Sequence, residues 1–535
     1  MNGNGNASQG VELRKKSSVA ELLKNKFLVS PELLEFLENA TQEEINHLVT
    51  SDEGALVLNN DSGNLMNRVE FGINWLELER SRVLAEKGHK PLAYSSLIKT
   101  LGSEAIQKAG TASSPHDSSP VRIVSSYTTL PNKREVSDFV NYYSVRFKAI
   151  QGILSGRPEL NGLKQIGRLR EGDSEKASII GMIRNKQQTK NGHIVLEMED
   201  LSGSVDVVVN KSRREVMSVA QDLVFDEVVG VSGSFRNGTF FASGIVLPDV
   251  PVREPKHSSS DGYAVFMSDL HFGSGLFLED DFRKFLKWLN GGLGNAAQRE
   301  IAAKVKYVLI AGDVVDGVGV YQDQFDELSV KDVRAQYQMC ADFLSEIPGN
   351  IKIVISPGNH DAVRAAEPQS AFAGDFAEPL HKLPNLISVS NPAMVNIDSS
   401  DGFPGFDVLL YHGYSFDYYV ANVDSIRKQG GYERADLIMK FLLQRRHLAP
   451  AHTSTLILPD PSIDPLFIGL VPDIFVTGHI HRTSVSEYRN VLLINSSCWQ
   501  GKTKFQERLG HNPQPSRVPV LNLRTREARI INFGR

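Results

Sequence analysis

Five groups of aspartate, asparagine and histidine follow apolar runs in the C-terminal half of the 535-residue chain. In chain order they are Asp269 with His271, Asp313 with Asp316, Asn359 with His360 and Asp361, His412, and His479 with His481. These groups offer carboxylate oxygen, amide oxygen and imidazole nitrogen but no thiolate, a donor set that suits Mn²⁺, Fe or Zn²⁺ in a catalytic site. The chemistry that they indicate is redox-neutral hydrolysis assisted by metal ions.

Each group taken singly has an ordinary explanation, because a lone histidine is more often a structural residue than a ligand. The five groups together are a stronger signal, since each directly follows an apolar run and they contain five of the fourteen histidines. Asp269 and His271 would point to the same side of an extended strand end, where side chains alternate between faces. The same argument pairs His479 with His481, although a turn at Gly478 would redirect them.

Buried strands and intervening helices would position these groups. The five runs are YAVFM, VKYVLIA, IKIVIS, FDVLLY and PDIFVT, and each has the continuous apolar character of a buried strand. Helical patterns lie between them at about residues 279–289, 330–347 and 433–447. This alternation predicts a layered α/β domain, in which ligands bind beyond the carboxyl ends of the strands.

Two further domains are expected before this one. Residues 1–110 have apolar residues three or four apart, which predicts a helical domain, and residues 111–174 are expected to be a flexible linker and connecting segment. Residues 175–253 contain five β-rich runs with a helical segment between the third and fourth, the order of an OB-fold barrel. Such a barrel either binds single-stranded nucleic acid, with Phe235, Phe240 and Phe241 as candidate platform, or serves as a structural or partner-docking module.

The net charge of −5 means that any nucleic-acid contact must come from a local basic surface. Residues 501–535 contain eight basic and two acidic residues, which favours either contacts to DNA phosphates or a solvated, charged sheet edge. Phe505 and Trp499 could stack on a frayed base or pack in the core.

The two cysteines, Cys340 and Cys498, are too few and too far apart for a disulfide framework or a zinc ribbon. No secretion signal and no membrane span are predicted, because the first residues are polar and no apolar run is long enough. The expected location is therefore the cytoplasm.

The ordered motifs D-x-H, GDxxD, GNHD, HG and GHxH resemble those of the calcineurin-like metallophosphoesterase superfamily. Within it, the segments SDLHFGS, AGDVVDGVGVY, ISPGNHDAVRAAEPQ, GHIHR and WQGKTKFQERLGHNPQPSRVPVLNL are similar to the small subunits of archaeal family-D DNA polymerases. The resemblance implies a multidomain α/β chain. Its four-layer α/β/β/α phosphoesterase (exonuclease) domain, residues 254–535, would follow the OB-fold and the helical domain.

The resemblance also implies a set of site residues. Asp269, His271, Asp313 and His481 would hold one divalent ion, and Asp313, Asn359, His412 and His479 the other. Mn²⁺ is the favoured ion, with Mg²⁺, Fe or Zn²⁺ as alternatives. His360 would stabilise the transition state or protonate the leaving 3′ oxygen, and Asp361 would orient it.

The implied activity is a 3′→5′ exonuclease that proofreads DNA, acting on single-stranded or mismatched 3′ ends beside a large polymerising subunit. Two alternatives remain at this point. One is a phosphomonoesterase or protein phosphatase that uses the same ions, and the other is a non-catalytic scaffold subunit of a polymerase.

Overall fold

A computed structural model of the chain describes residues 28–29, 57–58, 121–128, 133–171, 177–372, 374–508 and 510–534. Leu28–Val29 pairs in parallel with Val57–Leu58. The helical domain predicted for residues 1–110 otherwise lies outside the described residues. Within the part that is described, no helix is both long and apolar enough to cross a membrane.

Between residues 121 and 250 the main elements are one strand, a helix, and then five further strands with a second helix among them. The elements are β1 Val121–Ser126, α1 Val136–Leu154, β2 Ala177–Gln188, β3 Ile194–Asp200, β4 Gly203–Val209, α2 Arg214–Gln221, β5 Val228–Arg236 and β6 Thr239–Val246. Strands β2 to β6 close in the order β2-β3-β4-β6-β5, and α2 lies between the third and fourth of them. The predicted OB-fold is therefore confirmed.

Local sequence explains the barrel. In β3 and β4, buried positions such as Leu196 and Val207 alternate with more accessible ones, and Val231 of β5 also fills the interior. Asn237 and Gly238 join β5 to β6 with φ values of 50° and 74°, as a tight hairpin turn requires.

The phosphoesterase half contains the remaining elements. They are β7 Tyr263–Met267, α3 Glu279–Leu289, α4 Ala296–Ala303, β8 Val305–Ala311, α5 Gln324–Glu327, α6 Val333–Ser345, β9 Lys352–Ser356, α7 Glu378–His381, β10 Leu386–Ser388, β11 Ala393–Ile397, β12 Phe406–Leu410, α8 Phe416–Asn422, α9 Asp424–Lys428, α10 Ala435–Arg445, β13 Ile474–Thr477, β14 Ser484–Tyr488, β15 Val491–Asn495, α11 Lys504–Arg508, β16 Arg517–Asn522 and β17 Ala528–Asn532. All five apolar runs form strands, and the three predicted helices correspond to α3, α6 and α10.

Together with β1, the strands of the phosphoesterase half form two six-stranded sheets that pack face to face. The first has the order β10-β9-β8-β7-β16-β17 and the second β14-β15-β13-β12-β11-β1. In β7, Ala264 and Phe266 point into the layer between the sheets, whereas Val265 and Met267 point towards α3 and α6. Both faces of such a strand are buried, which explains its uninterrupted apolar sequence. With α8 and α10 on the outer face of the second sheet, the domain has the predicted four layers, α/β/β/α.

Much of the segment expected to be a linker and connecting segment, residues 121–128 and 133–171, belongs to this packing. Strand β1 pairs antiparallel with β11 at the edge of the second sheet. Helix α1 packs Phe147, Ile150 and Leu154 against the barrel. The expectation of a flexible linker is therefore wrong for β1 and α1, because pairing at a sheet edge and packing on the barrel are not visible in their mixed polar and apolar sequence.

Candidate active site

Ligand-type residues leave the carboxyl ends of strands in both sheets and meet there. Asp269 and His271 follow β7, Asp313 follows β8, and Asn359 follows β9, all in the first sheet. The histidines that complete the site come from the second sheet, with His412 after β12 and His479 and His481 after β13. The parallel strands of two facing sheets therefore supply one site.

Left-handed backbone turns aim these side chains. Asp269, His271, Asp313, His479 and His481 have φ values between 50° and 71°. Aspartate tolerates this region better than most residues, yet each such position still costs about 1 kcal/mol. The expectation of an extended strand end at Asp269 and His271 is wrong, because β7 ends at Met267. Their convergence comes instead from successive turns.

Asp269, His271 and His481 form the first cluster. The Nε2 atoms of the two imidazoles lie 3.1 Å apart. Asp269 Oδ1 lies 3.3 Å from Nε2 of His481 and 4.0 Å from Nε2 of His271. All three side chains are buried.

Asp313, Asn359 and His412 form the second cluster. His412 Nε2 lies 3.2 Å from Asp313 Oδ2 and 3.0 Å from Asn359 Oδ1. The His479 ring lies beside that of His412, at 5.2 Å between centroids, and not beside His481. The left-handed backbone at His479 and His481 thus places the first histidine of the GHxH motif beside His412 and the second in the cluster with Asp269. Asp269, Asp313 and His412 also have donor atoms within 4.8 Å of one another, so the clusters adjoin.

The donor chemistry fits divalent ions. Ions of this class hold nitrogen and oxygen ligands at about 2.0–2.2 Å, so adjacent ligands of one ion lie roughly 3 Å apart. The distances within the clusters are 3.0–3.3 Å, apart from the 4.0 Å between Asp269 Oδ1 and His271 Nε2. His271 Nδ1 lies 2.9 Å from Asp316 Oδ1, and His412 Nδ1 lies 2.9 Å from the carbonyl oxygen of Ala311. Protonation at Nδ1 in each ring would leave the Nε2 lone pairs facing the centre of the site, where a cation would stabilise them.

Electrostatics keep the buried Asp313 carboxylate ionised. Burial alone would raise the pKa of Asp313, but the neighbouring His412 and His360 outweigh it and hold the pKa well below its usual value. Burial likewise opposes charge on His412, yet the Asp313 carboxylate raises the pKa of that imidazole to about 10. In the absence of an ion, Asp313 and His412 therefore stabilise each other as a carboxylate and an imidazolium, and a divalent ion would take the place of the proton on the His412 ring.

His360 lies on the open side of the clusters. Its backbone amide donates to Asp313 Oδ1 at 2.8 Å, and its Nδ1 lies 2.8 Å from the carbonyl oxygen of Asp316. The His360 side chain is 15% exposed, whereas that of His271, whose ring packs edge-on against it, is 1% exposed. His360 can therefore reach a substrate that the deeper residues cannot.

Asp361 does not contact the ring of His360, which the resemblance implied that it would orient. Its carboxylate accepts the backbone amides of Val314, Val315 and Gly358. Burial and the nearby Asp313 raise the pKa of Asp361 to about 7. The His360 ring is thus oriented by Asp316 and not by Asp361, which instead fixes the two loops that carry Asp313 and Asn359.

The glycines of the motifs leave room for ligands from neighbouring strands. A Cβ atom on Gly358 would lie 2.2 Å from Asp313 Oδ1, and one on Gly312 would lie 2.3 Å from His412 Nδ1. A Cβ on Gly478 would lie 2.5 Å from Asp269 Oδ2. Each glycine therefore permits a close approach that sequence spacing alone does not reveal.

Three supporting residues were not predicted from the sequence. The Gln506 side-chain amide lies 2.8 Å from His481 Nδ1, Asp417 Oδ2 lies 3.2 Å from His479 Nε2, and Gln500 donates to Asp316 Oδ1 at 2.9 Å. The two glutamines fall within the segment WQGKTKFQERLG, whose resemblance to the family was the available signal. Asp417, on α8, carried no such signal.

The basic C-terminal segment is divided between two places. Lys502, Lys504 and Arg508 are exposed on or beside α11, next to the site. Arg517 and Arg529 lie on β16 and on the edge strand β17, which fits the interpretation as a charged sheet edge. Trp499 is 1% exposed and belongs to the core, whereas Phe505 is 39% exposed.

The barrel offers little of the expected aromatic platform. Phe240 is fully buried and Phe235 packs against the barrel interior, so Phe241 is the exposed member of the three.

Comparisons with known proteins agree with this architecture. Residues 264–483 match the family model of calcineurin-like phosphoesterases, and residues 177–240 match that of OB-fold nucleic acid binding domains. The DNA polymerase II small subunit of Methanothermobacter thermautotrophicus is 41% identical over 388 residues, covering 72% of this chain and 78% of that protein. The corresponding subunit of Archaeoglobus fulgidus is 39% identical over 385 residues, covering 72% and 75%.

Proposed function

Because the chain belongs to the family of archaeal DNA polymerase II small subunits and carries a phosphoesterase domain, we propose that it is a metal-dependent 3′→5′ exonuclease that proofreads DNA. The observation that carries this proposal is the convergence of Asp269, Asp313 and three histidine-bearing loops on one pocket beside His360. A scaffold subunit would have no need of such a buried, charged cluster.

The ligands divide between two ions, preferably Mn²⁺. Asp269, His271, Asp313 and His481 would hold one, and Asp313, Asn359, His412 and His479 would hold the other. Two such ions would supply an activated water molecule and neutralise charge on the attacking and leaving oxygens.

His360 is the proton donor to the leaving 3′ oxygen. Its Nδ1 lies against the Asp316 carbonyl oxygen, which leaves Nε2 free to face the substrate. Burial lowers the pKa of His360, so its protonated form is a stronger acid than an ordinary imidazolium. Asp361 serves as a positioning residue through the amides that it holds.

DNA and a large polymerase subunit are the proposed partners. The basic residues beside α11 would hold phosphates of a single-stranded or mismatched 3′ end. The names of the related proteins describe a small subunit, which supports assembly with a large one that carries out synthesis.

Digestion of a 3′-labelled, mismatched primer-template with Mn²⁺ tests the proposal. Asp313→Ala should abolish release of the terminal nucleotide, because it removes the shared ligand. Asp342→Ala, which alters an exposed carboxylate on α6, should behave like the wild-type chain.

The wild-type chain and both variants are also assayed with p-nitrophenyl phosphate as the substrate. Hydrolysis of that ester without digestion of DNA would favour the phosphomonoesterase alternative, and hydrolysis of neither would favour the scaffold. Wild-type digestion rates in Asp313→Ala would contradict the shared-ligand assignment.

A further inference from the structure

A stacked pair of aromatic rings lies at the rim of the site. Tyr321, in the loop after β8, and Phe505, on α11, have ring centroids 5.3 Å apart at an interplanar angle of 26°. The Tyr321 ring centroid is 6.0 Å from that of His360. Phe505 is 39% exposed, so part of the stack remains open to solvent. The described residues thus place an accessible aromatic surface next to the proposed proton donor.

Contacts on both sides fix this pair relative to the site. The Tyr321 hydroxyl donates to Glu327 Oε2 at 3.1 Å. Gln506, which follows Phe505, has its side-chain amide 2.8 Å from His481 Nδ1. Arg508 approaches Asp323 of the Tyr321 loop at 3.6 Å. The rings therefore have a set position with respect to His360 and His481, between which a phosphodiester would bind.

Positively charged side chains near the aromatic pair suit the binding of a single-stranded nucleic acid. Lys504 is next to Phe505 on α11 and Lys502 lies just before the helix, and both lysines are exposed. Aromatic faces combined with cations that follow the backbone are the common means of binding single strands without reading sequence. A bare apolar rim without these lysines would fit a nucleic acid less well.

We propose that Tyr321 and Phe505 bind the unpaired base of the 3′-terminal nucleotide by stacking, an assignment that rests on the exonuclease function proposed above. A nucleotide carries its base within a few ångströms of its phosphate, which matches the separation between Tyr321 and His360. A terminal base in a matched duplex is already stacked and paired, so that reaching the pair requires unpairing. A mismatched base needs the least energy to leave the duplex, and the site therefore selects mismatched ends.

Binding is measured with the full-length chain in EDTA, so that no digestion occurs, by quenching of 2-aminopurine at the 3′ end of a single-stranded oligonucleotide. Phe505→Ala should raise the Kd by roughly 5- to 150-fold, the range that stacking of one base contributes. Phe505→Trp should bind like the wild type. Phe325→Ala is the matched control, since Phe325 is 52% exposed on α5 in the same loop but packs against Lys331.

An oligonucleotide that lacks the 3′-terminal base distinguishes stacking by Phe505 from a purely structural role of that residue. With an abasic 3′-terminal nucleotide, measured by anisotropy of a 5′ label, wild type and Phe505→Ala should bind equally. Phe505→Leu retains an apolar side chain against Tyr321, so it should keep α11 in place yet lose affinity for the intact end. The proposal is overturned if Phe505→Ala loses as much affinity for the abasic end, since the pair would then only anchor α11, or if it loses none for either.

Failure of the exonuclease proposal has a different signature. Wild-type chain that binds the intact end more tightly than the abasic one, but releases no nucleotide with Mn²⁺, would support the base site and contradict the nuclease activity. Wild-type digestion combined with equal binding of the two ends would support the nuclease activity and contradict the base site.

Discussion

The imidazoles of the site each have one ring nitrogen occupied by the protein. The partners of His271, His412, His479 and His481 are Asp316, the Ala311 carbonyl oxygen, Asp417 and Gln506 respectively. Their other nitrogen is left for an ion, because an engaged nitrogen fixes both the tautomer and the ring orientation. His360 has the same arrangement but lies nearer the opening, which separates a proton donor from the ligands around it.

Replacement of His360 tests whether this residue is a proton donor and not a metal ligand. His360→Ala should lower the rate of the chemical step by ~10²-fold or more, the usual effect of losing a general acid. Binding of Mn²⁺, measured by isothermal titration calorimetry, should change little because the proposed ligands remain. His381→Ala is a control, since His381 is exposed on α7. Lost Mn²⁺ binding in a folded His360→Ala chain would identify His360 as a ligand instead.

At the scale of elements, the loop after β9 approaches the loop after β8 so closely that only glycine fits. Gly358 lies against both the carboxylate and the backbone nitrogen of Asp313, at 2.2 Å and 2.6 Å from the position of an added Cβ. Gly358→Ala must therefore displace Asp313 or its own loop, at a cost of about 1–3 kcal/mol for overpacking.

Gly358→Ala should weaken Mn²⁺ binding by about tenfold or more, since 1.4 kcal/mol corresponds to a factor of ten. Calorimetric titration measures this change. Gly349→Ala is the matched control, because an added Cβ there meets nothing within 4 Å. Equal affinities in the two variants would show that the close approach of the β8 and β9 loops does not matter for the site.

At the scale of the whole described unit from residue 121 onward, α1 ties the barrel to the phosphoesterase domain. Phe147, Ile150 and Leu154 of the helix pack on the barrel, and the neighbouring Arg146 pairs with Asp464 at 2.7 Å. Asp464 also accepts from Tyr142 at 2.9 Å and lies 2.8 Å from His447 Nε2, all in buried surroundings. The pKa of Asp464 stays well below its usual value, because His447 and Arg146 outweigh the effect of burial.

Arg146→Met should lower the free energy of unfolding by about 3–5 kcal/mol, since it leaves the buried Asp464 carboxylate without its cation. Denaturant unfolding followed by circular dichroism measures the change. Arg334→Met removes an exposed pair with Glu378 of similar length, 2.9 Å, and should cost less than about 1 kcal/mol. If both variants lost the same stability, α1 would not be held by this buried pair.

The sequence by itself determined the barrel strands, the five strands that precede the candidate ligands and three of the helices between those strands. Strands buried on both faces need continuous apolar runs, and a metal site needs a small set of residue types, so both leave a readable pattern. The runs before Asp269, Asp313 and Asn359 are strands in the structure, and the resemblance of the motifs correctly indicated the family.

Only the tertiary structure decided how these parts are joined. That His479 faces His412 while His481 faces His271 depends on a left-handed turn, which two alternating positions in a sequence do not specify. The partner of His360 is the Asp316 carbonyl oxygen. Every residue type has a carbonyl oxygen, so the sequence does not reveal such a contact. Strand β1 joins β11 across more than 260 residues, because pairing at a sheet edge is set by the packing of the whole domain and not by local pattern.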